Sequence, residues 1–107
     1  MIEKGLDLNA IQKMMEDRYR VNTDIYKQHN TFLDKDYYFL RFQCESFEIF
    51  ISIRWSLNAK SKQFVSVGYE NLKTFQIRQS DWLFTKAEVI AELDKYLTPV
   101  QSQMSLF

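Results

Sequence analysis

Apolar side chains recur in two different rhythms along this chain of 107 residues. Leu8, Ile11, Met15 and Tyr19 fall at three- and four-residue steps, the stripe of an amphipathic helix, and Met14 widens it. Asn9, with Gln12 three residues on, resembles a capping box, and Asp7 is a competing N-cap. Residues 21–36 carry no firm period and are expected to form a loop with one short element. From Tyr37 the step becomes two. Tyr38, Leu40, Phe42 and Cys44 share one side, and Arg41, Gln43 and Glu45 take the other. After a tight turn at Ser46, Phe47, Ile49, Ile51, Ile53 and Trp55 alternate with Glu48, Phe50, Ser52 and Arg54, which predicts an antiparallel hairpin with one buried face.

A polar stretch from Ser56 to Ser61 reads as a loop. Val65, Val67 and Tyr69 give a third strand, Gly68 a bulge site, Glu70-Asn71 a turn, and Phe75 with Ile77 a shorter fourth strand. Thr85 and Glu88 then form a capping box ahead of Val89, Ile90, Leu93 and Leu97. Trp82, Leu83 and Phe84 are expected to pin the start of that helix to the core. Pro99 ends it near Leu97 or Thr98, because proline cannot donate to the helix ladder and disfavours helical geometry in the residue before it. The fold class is α+β: an antiparallel meander sheet of three to four strands, with an N-terminal and a C-terminal helix packed on one face, in the order α-β-β-β(-β)-α. Residues 1–98 make one domain and residues 99–107 a C-terminal tail.

Composition narrows the function more than it names it. With 46% hydrophobic and 16% aromatic residues but only 2 Gly and 1 Pro, the chain predicts a well-filled core and few linkers. Lysine plus arginine and aspartate plus glutamate are equal at 14 each, which argues against a protein living on duplex phosphate contacts. The single cysteine excludes an internal disulfide and suits a reducing compartment. No apolar run approaches the roughly 20 residues of a membrane span, and the first residues have no signal-peptide character. A cytoplasmic location without membrane contact is therefore expected. Many Lys, Asn, Ile, Phe and Tyr beside few Gly, Ala and Pro suggest an AT-rich genome, such as a low-GC bacterium, its phages or mobile elements.

Catalytic chemistry finds no constellation. His29 stands between Gln28 and Asn30 in a polar stretch, and Cys44 falls on the apolar side of its strand, where a thiol is buried and inert. Asp34 with Asp36, or Glu45 with Glu48, reads as ordinary solvated carboxylates at turns rather than metal ligands. Two glycines cannot build a phosphate-cradling loop. The chain is expected to be no enzyme, with no catalytic residues, no metal and no cofactor.

Opposite the core side, Phe39, Phe50 and Phe64 accompany Arg41, Arg54 and Arg78. Aromatic rings interleaved with arginines on an open sheet suit stacking of single-stranded nucleic acid or docking of a protein, including a second copy. The element order resembles the double-stranded-RNA-binding fold. However, the second helix begins Thr85-Lys86-Ala87-Glu88 and lacks the lysine cluster which that fold turns to phosphates.

The tail carries the most specific signal. Gln103-Met104-Ser105-Leu106-Phe107 places three large apolar side chains at the end of the sequence, where ordering is normally unrewarded and residues are polar. This pentapeptide resembles the peptide by which bacterial replication and repair proteins dock on the ring-shaped DNA sliding clamp, Gln-Leu-(Ser or Asp)-Leu-Phe. Four of the five positions fit, and Met104 replaces leucine with similar volume. At residue frequencies of about 5–10%, such a match at one given place arises by chance on the order of once in 10⁵–10⁶ chains. The resemblance implies that Phe107 and Leu106 fill a hydrophobic pocket, Met104 covers its mouth and Gln103 fixes the register. Extended, residues 100–107 reach roughly 26–29 Å. The alternative is that the tail packs on its own domain.

These features give an expectation of a non-enzymatic accessory protein of DNA replication or repair, phage- or mobile-element-encoded, held on the bacterial sliding clamp. A polymerase, primase or helicase, or single-stranded DNA, would be its further partner, and a homodimer stays open. The competing class is an inhibitor or adaptor, a clamp inhibitor included, that uses the aromatic sheet face.

Overall fold

The computed structural model describes residues 2–32, 34–56 and 62–100. Helix α1 (Leu8–Tyr19) is followed by strands β1 (Asp24–Asn30), β2 (Lys35–Gln43), β3 (Phe47–Ser56), β4 (Lys62–Asn71) and β5 (Ile77–Gln79), then by helix α2 (Lys86–Leu93). The strands form one antiparallel sheet in the order β1-β2-β3-β4-β5, a meander in which each strand pairs with its neighbours in sequence. The α+β class, the antiparallel connectivity and the terminal helices follow the hydrophobic pattern.

The strand count does not: among the described residues there are five, against three to four expected. The additional strand is β1, in the stretch read as loop. Its residues are exposed except for half-buried Asn30, so no side of it needed to be apolar and no period of two was written into the sequence. What forms it is pairing with β2, in register from Asp24↔Arg41 to Asn30↔Lys35.

The core lies on one face. Register pairs Leu40 with Ile51 and Phe42 with Ile49 across β2–β3, and Ile51 with Val67 and Ile53 with Val65 across β3–β4. Leu40, Ile49, Ile51, Val65 and Val67 are no more than 1% exposed. Against them pack Ile11, Met14, Met15 and Tyr19 of α1, Leu83, Val89 and Leu93 of the α2 segment, and Leu6 and Leu97. Fully burying each such side chain contributes about 1.5–3 kcal/mol. Helix α1 lies across β2 and β3, and α2 lies against β4.

Local chemistry sets the helix ends. Asp7 is the α1 N-cap, accepting from the Ala10 backbone N–H at 2.8 Å, and Arg20 closes the helix in the left-handed region at φ 57°. The Thr85–Glu88 capping box is complete: the Thr85 hydroxyl accepts from the Glu88 backbone N–H, and Glu88 accepts from those of Phe84 and Thr85. These bonds, led by the one from Phe84, hold the Glu88 carboxyl below its ordinary range. Helix α2 ends at Leu93, earlier than expected; the chain continues in a turn where the Leu97 N–H donates to the Leu93 carbonyl at 2.9 Å. That turn brings Leu97 into the core.

Three further details differ from the sequence pattern. Gly68 pairs with Phe50 and Gln79 without interrupting either register, so no bulge sits there. Strand β4 runs on through Asn71, and the β4–β5 turn lies beyond it, with Phe75 at φ 63°. After β5 the chain stays beside β4. Val65 and Leu83 exchange backbone hydrogen bonds at 2.7 and 3.0 Å, and the Ser80 hydroxyl takes the Val67 N–H. The offset between Gly68↔Gln79 and Val65↔Leu83 is one residue, so the irregularity falls at Ser80–Asp81.

Candidate functional site

Strand alternation carries every second residue to the side away from the helices. Register groups Tyr26 with Phe39, Arg41 with Phe50, Ser52 with both Phe39 and Ser66, and Arg54 with Phe64. Five of the six residues anticipated for this face are therefore together. Arg78 is not with them: it pairs with Tyr69, whose partner Ile49 belongs to the core side, so Arg78 lies on the helix side of the β5 edge.

The rings touch one another in series. Tyr26 stacks on Phe39 with centroids 5.5 Å apart, and Phe39 meets Phe50 at 6.1 Å. Across the serine positions, Phe64 stacks on Trp82 at 4.4 Å and 12°. Trp82 thus does not pin the start of α2 from inside, as Leu83 does; it is 45% exposed on the outer side. Tyr26 at 39% and Tyr37 at 42% also belong to this face and were missed. Their signal was weak because they belong to the two-stranded end of the sheet, where neither side is covered. The Phe39–Ser52 pair is the last between β2 and β3, so residues 35–38 pair with β1 alone.

Charge on this face is mixed. The Arg41 guanidinium donates to Glu48 and Gln43, each at 2.8 Å, and lies 5.6 Å from the Tyr26 ring centroid. The bond to Glu48 raises the Arg41 pKa further, so this arginine is charged and already paired. Arg54 is exposed beside Phe64. Asp24, Glu48 and Glu70 occupy outer positions toward the opposite end of the strands. The Ser66 hydroxyl, buried between the two aromatic groups, accepts from the Gln79 side-chain amide.

A second cluster joins α1 to the segment that follows α2. Arg18 donates twice to Asp94, at 3.1 and 2.8 Å, and the Tyr19 hydroxyl donates to the same carboxylate at 2.6 Å. The Arg18 hydrogen bonds hold Asp94 below the usual carboxylate range, and burial foremost raises Tyr19. The Val100 N–H donates to the Arg18 carbonyl at 2.8 Å, so the last described residue is tied to α1. Beside it lies an open depression of about 490 Å³ lined by Met14, Arg18, Ile90 and Pro99 among others. The clamp-like residues Gln103, Met104, Ser105, Leu106 and Phe107 lie outside the described residues.

Elsewhere, His29 is not a lone solvated side chain. Its Nδ1 is 2.8 Å from Asp36 and its Nε2 3.4 Å from Asp34, within the β1–β2 hairpin. Among the described residues no group of three His, Cys, Asp or Glu could hold a metal ion. Cys44 is half-buried rather than sealed in the core, at the β2–β3 turn. No helix among the described residues is long and apolar enough to cross a membrane. Compared with models of protein families, with curated proteins and with solved structures, the chain matches none.

Proposed function

We propose that this chain is a non-enzymatic accessory protein of DNA replication or repair, encoded by a phage or mobile element and tethered to the bacterial sliding clamp. The observation that carries the reading is the pentapeptide Gln103-Met104-Ser105-Leu106-Phe107. Two features of the folded part support it. Among the described residues, the buried core is built from side chains between Leu6 and Leu97, and the Val100 N–H is tied to α1. Val100, three residues before the pentapeptide, thus sits beside α1, on the opposite side of the sheet from the aromatic face. A short tether there raises the local concentration of the domain toward the millimolar range while leaving that face turned outward. A polymerase, primase or helicase would then be the neighbour it serves.

The second reading is an inhibitor or adaptor that docks through the aromatic face, favoured by the contiguous Tyr26–Phe39–Phe50 rings. A pull-down with purified bacterial clamp separates the two. Wild type is expected to be retained, and deletion of Gln103–Phe107 to abolish retention while the melting temperature stays nearly constant. Equal retention of both proteins contradicts the tether. A deletion that unfolds the domain places the tail in the core instead.

A further inference from the structure

We propose that His29 is a pH-sensitive clip on the β1–β2 hairpin: its protonated ring ties the two strands together at their turn end, and loss of the proton loosens them. The inference is independent of the clamp tether.

The turn end of this hairpin has little but itself to hold it. Pairing between β2 and β3 stops at Phe39↔Ser52, while β2 stays paired with β1 out to Asn30↔Lys35. Residues 28–30 and 35–38 thus form a two-stranded arm, on which Gln28, His29, Asp36, Tyr37 and Tyr38 are exposed. Among the described residues, no side chain of the arm belongs to the core or packs against it. A two-stranded ribbon in water is marginally stable, so contacts between side chains across the strands decide how readily it opens.

His29 bridges the arm. It stands directly opposite Asp36 in the register, and its Nδ1 lies 2.8 Å from Oδ1 of that carboxylate. Its Nε2 lies 3.4 Å from Oδ1 of Asp34, which enters β2 from the turn at φ 51°. Both ring nitrogens therefore face acceptors. A neutral imidazole has a single N–H, so in either tautomer the other nitrogen turns a lone pair toward a carboxylate oxygen. The imidazolium donates from both. Nearby charge has the same preference: Asp34 and Asp36 flank the ring, and the one cation beside it among the described side chains, Lys27 on the same strand, lies 4.0 Å from the second Asp36 oxygen. Tyr38, opposite Lys27, is a further titratable group on this side. Histidine is the side chain whose charge ordinarily changes between about pH 5 and 8. The clip is thus closed on the acid side of that window, and its contribution is lost as pH rises across it.

Amide hydrogen exchange of the full chain, followed by NMR at about pH 5.5 and about pH 8, tests this, with each rate referred to that of an unstructured peptide at the same pH. Protection of the hydrogen-bonded amides in residues 28–30 and 35–38 is expected to be about two- to fivefold higher at the lower pH, the scale of an exposed ion pair. His29→Gln, neutral at both pH values, is expected to lose the difference. Asp34→Asn is expected to shrink it, because a carboxamide N–H donates to a neutral Nε2. Asparagine also accepts the left-handed backbone at that position. Both substituted side chains are exposed, and circular dichroism confirms that each variant keeps its fold. The Leu106→Ala/Phe107→Ala protein behaves like wild type, so failure here is distinct from failure of the tether. Equal protection of the wild-type arm at the two pH values overturns the proposal. So does a difference that persists in His29→Gln, or one that runs the other way.

Discussion

The two faces of the sheet are made from the same strands and differ in what they are made to meet. On the helix side, β3 and β4 present Ile49, Ile51, Val65 and Val67, aliphatic and sealed. On the outer side lie two groups of rings, Tyr26–Phe39–Phe50 and Phe64–Trp82, the second with Phe64 buried beneath exposed Trp82. Branched aliphatic chains interlock and exclude water completely. Rings shield one another less completely, so Tyr26 and Trp82 stay exposed and Phe39 and Phe50 half-buried. One face of the sheet is thus closed by two helices, and the other is closed only in part, by its own rings.

The sharpest way to break the comparison is to cut the same strand on each side. Ile51→Ala opens a cavity in the sealed face and is expected to cost about 2–5 kcal/mol, seen as a large fall in melting temperature. Phe50→Ala, one residue earlier on the half-buried outer face, should cost the protein far less. Equal losses of monomer stability would mean the outer face is a second core.

A medium effect concerns the joint between the helices. Asp94 is held below its ordinary pKa by Arg18 and Tyr19. A depressed folded pKa stabilises the protein above the unfolded carboxylate value, and that stability is lost as pH falls through the folded value. Asp94→Asn should therefore flatten the acid limb of the stability curve below about pH 4. Tyr19→Phe, which keeps the ring and removes one hydrogen bond, should cost about 1 kcal/mol by urea unfolding. An acid limb unchanged in Asp94→Asn would show the joint to be unimportant for folding.

The smallest effect has the opposite sign. Phe75 sits at φ 63° in the β4–β5 turn and is 75% exposed. Asn71 holds the turn through bonds to the N–H groups of Lys73, Thr74 and Phe75. Left-handed geometry is costly for a bulky residue and free for glycine. Phe75→Gly is expected to stabilise the monomer by about 0.5–1 kcal/mol, and a destabilised variant would mean the ring is packed.

Sequence made the sealed face legible and the open face only half so. Ile49, Ile51, Val65 and Val67 alternate strictly, and Ile11, Met15, Val89 and Leu93 keep helical spacing, because burial on one side leaves that imprint. Strand β1 was illegible, since its stability comes from hydrogen bonds to β2 rather than from a buried row. Tyr26 and Tyr37 were missed with it, and Arg78 was assigned to the outer face because the register of a three-residue strand cannot be counted from its sequence. Trp82 looked like a core residue next to Leu83; the irregular step at Ser80–Asp81 decides which side it takes.

The tether is tested most directly by competition. A fluorescently labelled protein is titrated with purified bacterial clamp, and the complex is challenged with synthetic Gln-Met-Ser-Leu-Phe while anisotropy is followed. Saturable binding that the free peptide displaces, and that Leu106→Ala/Phe107→Ala abolishes, is the predicted result. A wild type that does not bind the clamp, or a complex that the peptide cannot displace, contradicts it.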